Sequence, residues 1–214
     1  MFNYFSLNHL MTKRGTTMKT KLAILCIWLF SSTFVFATPI EDLRGEEAKA
    51  ALRQYEAKIK ENPNDFEALK SAGIILHQLS RTHANQQQVS MSENYLKSAL
   101  TLRDSDPEIM AWLGSVTTMK AIFESDPGKK TFFVKSGTRL LDKAIQKAPD
   151  NTVVRLTRAY NSLELPAFLM RTKFAIEDFK YYLELCKSIN CSKENIAAAN
   201  TKLAEAEKIL ADNF

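Results

Sequence analysis

The sequence predicts an all-α chain, a right-handed α-solenoid of about three helical hairpins with a flanking half-repeat and a C-terminal capping helix. Three observations carry its all-α character, and the solenoid arrangement follows from the repeat pattern of residues 51–187. Beyond Pro39, apolar residues recur at three- and four-residue spacing, and there is little strand-like alternation. Polar punctuation interrupts this pattern about every 15–20 residues, which sets the length of each helix. Six Gly and six Pro among 214 residues are too few for a turn-rich all-β fold or a collagen-like chain.

The first 37 residues read as a leader. With translation starting at Met18, residues 1–17 are an upstream extension; Met1 is the other available start. Residues 18–37 contain the parts of a secretory signal peptide in order. Met18-Lys19-Thr20-Lys21 is a short basic head, residues 22–30 are an unbroken apolar run, and Val35 and Ala37 precede the expected cleavage point. The whole apolar stretch, 22–36, is shorter than the ~20 residues of a spanning helix. Cleavage after Ala37 is therefore expected in preference to an uncleaved anchor, and the mature protein is expected to have no stable membrane span. Leu25 before Cys26 is too bulky for a lipoprotein site. The expected destination is the periplasm or the cell surface.

Charge follows the same division. The chain has 29 basic and 24 acidic residues, a net charge of +5. Lys13, Arg14, Lys19 and Lys21 lie in the leader, which contains no acid, so the rest is within one charge of neutral. A near-neutral body has no electrostatic footprint for phosphates, and a nucleic-acid partner is not expected.

Residues 38–50 form an N-terminal segment leading into a half-repeat helix at about 42–60, with Ala51 and Tyr55 on its apolar side. Hairpins follow at 65–104, 107–148 and 151–187. At residues 61–76, ENPNDFEALKSAGIIL, a Pro-containing turn precedes a helix with Leu69, Ala72, Gly73 and Leu76 on one face. Ser92, Leu96 and Ala99 supply the facing helix, and Met110, Leu113 and Gly114 then Gly137, Leu141, Ala144 and Pro149 repeat the arrangement. Residues 51–187 thus resemble tetratricopeptide repeats, 34-residue helix–turn–helix units whose small residues let two helices approach closely. Ala99 to Gly114 and Ala144 to Ala159 are both 15 residues, so the junctions between units are regular. Gly73, Gly114 and Ala159 are 41 and 45 residues apart, so the excess falls inside each unit and is expected to be stretched loop. Arg155 and Arg158 replace bulky residues in the third unit, where Val153, Leu156, Tyr160 and Leu163 are apolar, so that hairpin is expected to be rotated or irregular.

Residues 188–214 hold the closing helix, expected at 193–211. Ser192 is a natural N-cap. Ile196, Ala199, Leu203, Ala206 and Leu210 form one stripe, as the last element of a repeat array needs.

Little of the sequence points to chemistry. His77 and His83 are six residues apart and share no helix face, so they read as surface residues at a loop edge and not as a zinc site. There is no phosphate-cradling Gly-rich loop, no nucleophile elbow and no pairable set of carboxylates. No catalytic residue, metal or cofactor is expected. Cys186 and Cys191 are the two Cys beyond the leader, and export would place them where a disulfide forms; two independent thiols are the other reading.

Three surfaces remain as sites. The connection around 77–91 is polar and reads as a solvated spacer. The next contains Phe132 and Phe133, and the third, residues 163–171, is apolar and broken at Pro166. Phe132, Phe133, Phe168 and Leu169 either pack on one another or form a partner site along one edge, with Leu156 and Tyr160 as an apolar anchor. Arg155, Arg158 and Arg171 are candidates for binding an anion, against ion pairing with Glu177 and Asp178. The resemblance implies a non-catalytic module holding a protein or peptide on its first helices. That face would be lined by Glu67, Lys70, Ile74 and His77, then Glu108, Ala111, Ser115 and Thr118, then Val153, Leu156 and Tyr160. The alternative is a binding protein for a small anionic ligand, selected by the Arg cluster.

Overall fold

A computed structural model describes residues 39–213. The leader lies outside the described residues, and with it the expected signal sequence. The described residues are helical and contain no strand. After a 3-10 turn at Ile40–Asp42 come α1 (Gly45–Glu61), α2 (Phe66–Thr82), α3 (Gln86–Leu102), α4 (Pro107–Met119), α5 (Pro127–Lys147), α6 (Thr152–Glu164), α7 (Thr172–Leu185) and α8 (Lys193–Asn213). Further 3-10 turns lie at Lys120–Phe123 and Ala167–Leu169.

The sequence sets the helix starts through side chains. Asp65, Asn85, Asp106, Asp126 and Asn151 precede α2 to α6, and each accepts a hydrogen bond from an amide in the first turn of its helix. This satisfies a donor that the helix itself leaves unpaired. At α8 the Ser192 hydroxyl accepts from the Asn195 amide, the cap its sequence position predicts.

Each helix packs on its neighbour in the chain, and the first helices of the three hairpins, α2, α4 and α6, also touch in succession. The small residues fall at the closest approaches. A Cβ on Gly73 would lie 2.6 Å from the Leu96 side chain, and one on Gly114 would lie 2.7 Å from the Gly137 carbonyl oxygen. The Ser92 hydroxyl donates to the Gly73 carbonyl at 2.7 Å. The core passes along the chain from Leu69, Leu96, Ile109 and Leu113 through Leu141 and Val154 to Ala159, Phe179, Ala199 and Ala206.

The stretched connections are shorter than expected. α2 runs on to Thr82 and α3 restarts at Gln86, so most of 77–91 is helix. Its polar residues hide a buried face in which His77, Ser80 and Val89 continue the helical spacing. His77, expected at the surface, is 3% exposed; His83 is exposed. Phe132 and Phe133 belong to α5, whose start at Pro127 suits a first helical turn. The third connection does break at Pro166, followed by a 3-10 turn and by Met170 with φ +59°.

The third hairpin keeps its register. Arg155 and Arg158 face inward and are 6% and 5% exposed, while Val153, Leu156, Tyr160 and Leu163 are half-buried. Inward-facing Asp178 on α7 makes that possible.

Candidate functional site

The connections within the second and third hairpins flank an apolar groove of about 380 Å³. Met119 at the end of α4, Ile122 in the 3-10 turn and Val134 of α5 line it on one side, and Leu165, Phe168 and Leu169 of the third connection on the other. Phe168 is 79% exposed and Ile122 63%. Local chemistry fixes this shape. Pro166 ends α6, its carbonyl accepts from the Leu169 amide at 2.9 Å, and the left-handed Met170 returns the chain to α7. Phe132 and Phe133 stack edge to face at 5.8 Å, with the Lys120 ammonium 4.6 Å from the Phe133 ring centre, and neither lines the groove.

The Arg cluster is engaged by the protein's own carboxylates. Arg155 Nη1 donates to Asp178 Oδ1 at 2.7 Å, and Arg158 grips the same carboxylate through Nε at 2.6 Å and Nη2 at 2.9 Å. Glu177 and Asp142 complete the set, Asp142 also accepting both terminal nitrogens of Arg171 at 2.7 and 3.0 Å. Three guanidinium groups therefore meet three carboxylates. Asp178 is fully buried. An external anion at this position competes with carboxylates already held in place.

Leu156 and Tyr160 line a separate cavity of about 280 Å³ on the first helices of the hairpins. His77 of α2, Trp112 and Ser115 of α4, and Asn161 of α6 form its buried wall. Of the residues expected on this face, His77, Ser115, Val153, Leu156 and Tyr160 line the cavity. Lys70 and Glu108 instead pair at 2.6 Å, and Thr118 borders the apolar groove. Segments from both ends of the described chain complete the wall, Glu41, Asp42 and Arg44 on one side and residues 189–192 with Asn195 on the other. Gln78 holds the first by donating to the Glu41 carbonyl at 3.0 Å, and Asn195 Nδ2 donates to Asp42 Oδ2 at 3.3 Å.

Cys186 and Cys191 stand at disulfide-bonding distance, with Cα atoms 5.4 Å apart, as their spacing predicts. The bridge closes the turn that supplies residues 189–192 to the cavity.

Polar groups dominate the buried wall. His77 Nε2 lies 2.8 Å from Ser115 Oγ, and its ring meets Trp112 edge to face at 5.2 Å. Burial, reinforced by the positive charge of Arg81, lowers the His77 pKa from 6.5 to about 3, so the ring is neutral at physiological pH. Asn161 Nδ2 donates to Thr118 Oγ1. His77 Nδ1, Trp112 Nε1 and Asn161 Oδ1 are buried without a hydrogen-bond partner in the protein. Arg81 is paired with Glu164 at 2.6 Å and lies 5.0 Å over the Tyr160 ring. Trp112 and Asn161 are the members that sequence reasoning missed. Each is a helical neighbour of a lining position, but Trp112 reads as core and Asn161 as a polar filler.

Among the described residues no group of His, Cys, Asp and Glu is arranged to hold a metal, and no helix is long and apolar enough to cross a membrane. No protein-family model matches the sequence, and no curated protein matches it.

Proposed function

We propose that this chain is an exported, non-catalytic scaffold, a right-handed solenoid of tetratricopeptide-like hairpins that binds a protein or peptide in the periplasm or at the cell surface. The observation that carries the reading is the apolar groove between the second and third connections, with Phe168 79% exposed at its edge. Apolar surface gathered in a concave site and left in water marks an interaction surface. Phe168 is a large anchor on a turn held in shape by Pro166, so little ordering is required when a partner docks. The close helix approaches at Gly73, Gly114 and Gly137 support the repeat architecture, because they fall where the resemblance requires small residues. The disulfide-distance pair suits an oxidising compartment.

Panning a random peptide display library on the full chain tests the reading. Peptides with apolar or aromatic anchors should be enriched, and Phe168→Asp should release them while the protein stays folded. Failure to enrich any peptide, or equal binding to Phe168→Asp, overturns it. Export is tested separately, by N-terminal sequencing of the protein from the cell envelope, which should begin Thr38-Pro39.

A further inference from the structure

We propose that the segment docking in the apolar groove is acidic as well as apolar, and that its Asp or Glu side chains pair with Lys130 and Lys135. The inference rests on the reading of that groove as a peptide site and adds the charge of its occupant. Lys130 and Lys135 of α5 line the groove, and both are exposed. Among the described residues, the ion pairs of α5 are those of Lys129 with Glu124 at 3.9 Å and of Asp142 with Arg158 and Arg171. The two groove lysines are therefore left without a carboxylate. Glu164 is the one acid lining the groove, and Arg81 already holds it at 2.6 Å.

The excess charge belongs to the helix and not to one position. α5 contains six basic residues and one acid, although the chain beyond the leader is within one charge of neutral. A purely apolar partner laid in the groove would take water from two uncompensated ammonium groups and return nothing. Carboxylates beside its apolar anchors replace that water with charge-assisted hydrogen bonds and draw the partner in from a distance. Lys130 and Lys135 are about 7.5 Å apart along the helix axis, so they suit a segment with more than one acid.

Other occupants fit less well. The leader is apolar over 22–36, but its charges are Lys13, Arg14, Lys19 and Lys21, the same sign as the groove wall. A second copy docked groove to groove sets two basic walls against each other. A bilayer is flat and cannot follow a concave site between two connections. A small amphiphile is left largely in water by a groove whose edge residues Phe168 and Ile122 are 79% and 63% exposed.

Peptides enriched by panning on the full chain are the probe. Beside their apolar anchors they should carry more Asp and Glu than the unselected library. The most enriched peptide, made with its acids and again with Asn and Gln in their place, is titrated by fluorescence polarisation. Lys130→Glu with Lys135→Glu should weaken the acidic form at least about tenfold and leave the amide form within about twofold. Lys143→Glu, on the same helix but outside the groove, should change neither. Raised salt should weaken the acidic form alone, a measurement that needs no variant. Enriched peptides without acids, an acidic form that ignores the double reversal, or equal loss in Lys143→Glu overturns the inference while leaving the peptide site standing. Displacement of the peptide by phosphatidylglycerol vesicles, or a dimer that the double reversal dissolves, overturns it by giving the groove another occupant. Binding that Phe168→Asp leaves unchanged removes the peptide site itself, and the inference with it.

Discussion

Arg158 and Asp178 form a buried bidentate pair, Nε to Oδ2 at 2.6 Å and Nη2 to Oδ1 at 2.9 Å, joining α6 to α7. The carboxylates outweigh burial and hold the Arg158 pKa above its ordinary value. Removing one member strands the others, so Asp178→Ala should cost about 3–5 kcal/mol. Replacing the set together by Arg155→Met, Arg158→Met and Asp178→Leu should cost less than the single change. Urea denaturation of both variants checks the order.

Gly114 and Gly137 occupy one backbone crossing. A Cβ on Gly137 would lie 2.4 Å from the Gly114 carbonyl oxygen, whereas one on Gly73 would meet the Leu96 side chain. A side chain can move aside and a helix backbone cannot. Gly137→Ala should therefore destabilise by at least about 1–3 kcal/mol, and by more than Gly73→Ala. Thermal melts of the two variants test this ranking.

Reducing Cys186–Cys191 should have a small global effect and a marked local one. The bridge closes a five-residue separation, so its chain-entropy contribution falls below the ~3 kcal/mol of a 15-residue loop. Hydrogen exchange should speed up in residues 189–195 and in the first turn of α8, with α2 to α5 unchanged. Uniform acceleration throughout the chain would refute a local role.

Acid should weaken the fold through His77. Its folded pKa of about 3 lies below the ordinary 6.5, so between those values the unfolded chain binds the proton and the folded chain does not. Stability is full above pH 6.5 and falls as the pH drops towards 3, by up to about 1.4 kcal/mol per unit. Urea midpoints at pH 7, 6, 5 and 4 should show that slope, and His77→Gln should flatten it above pH 5.

Phe168→Ala should change stability by less than about 0.5 kcal/mol, because the ring is 79% exposed. Phe179→Ala should cost about 3–5 kcal/mol, because that ring is fully buried against Tyr160 at 5.2 Å. Calorimetry of the pair separates surface from core within one hairpin.

Some helix boundaries made by side chains were legible in the sequence, whereas the starts capped by Asn85 and Asp126 were not. Ser192 caps α8 as its position predicts, the expected hairpin starts at 65, 107 and 151 fall within a residue of the caps Asp65, Asp106 and Asn151, and the apolar stripe of α8 packs as its spacing predicts. The α2–α3 boundary was not legible, because Gln, Ser, Thr and His at 77–91 read as solvated although their helical spacing buries Ser80 and His77. The pairing of Arg155 and Arg158 with Glu177 and Asp178 was legible as the alternative to an external anion, but spacing treats polar residues as outward and so did not foresee that both Arg and Asp178 are buried. The apolar groove was partly legible, since Phe168 and Leu169 fall in a connection broken by Pro166. The polar cavity was not. Its wall joins three hairpins to Asp42 and Asn195, and no local pattern relates residues so distant in sequence.

The contact between Asp42 and Asn195 spans 153 residues. In a row of helices that touch only their neighbours, each terminus frays independently, since an end element has a single partner. Here the two ends share a latch, and residues on both sides of it line the same chamber. Breaking that contact therefore removes a restraint from both segments at once, and both border the chamber.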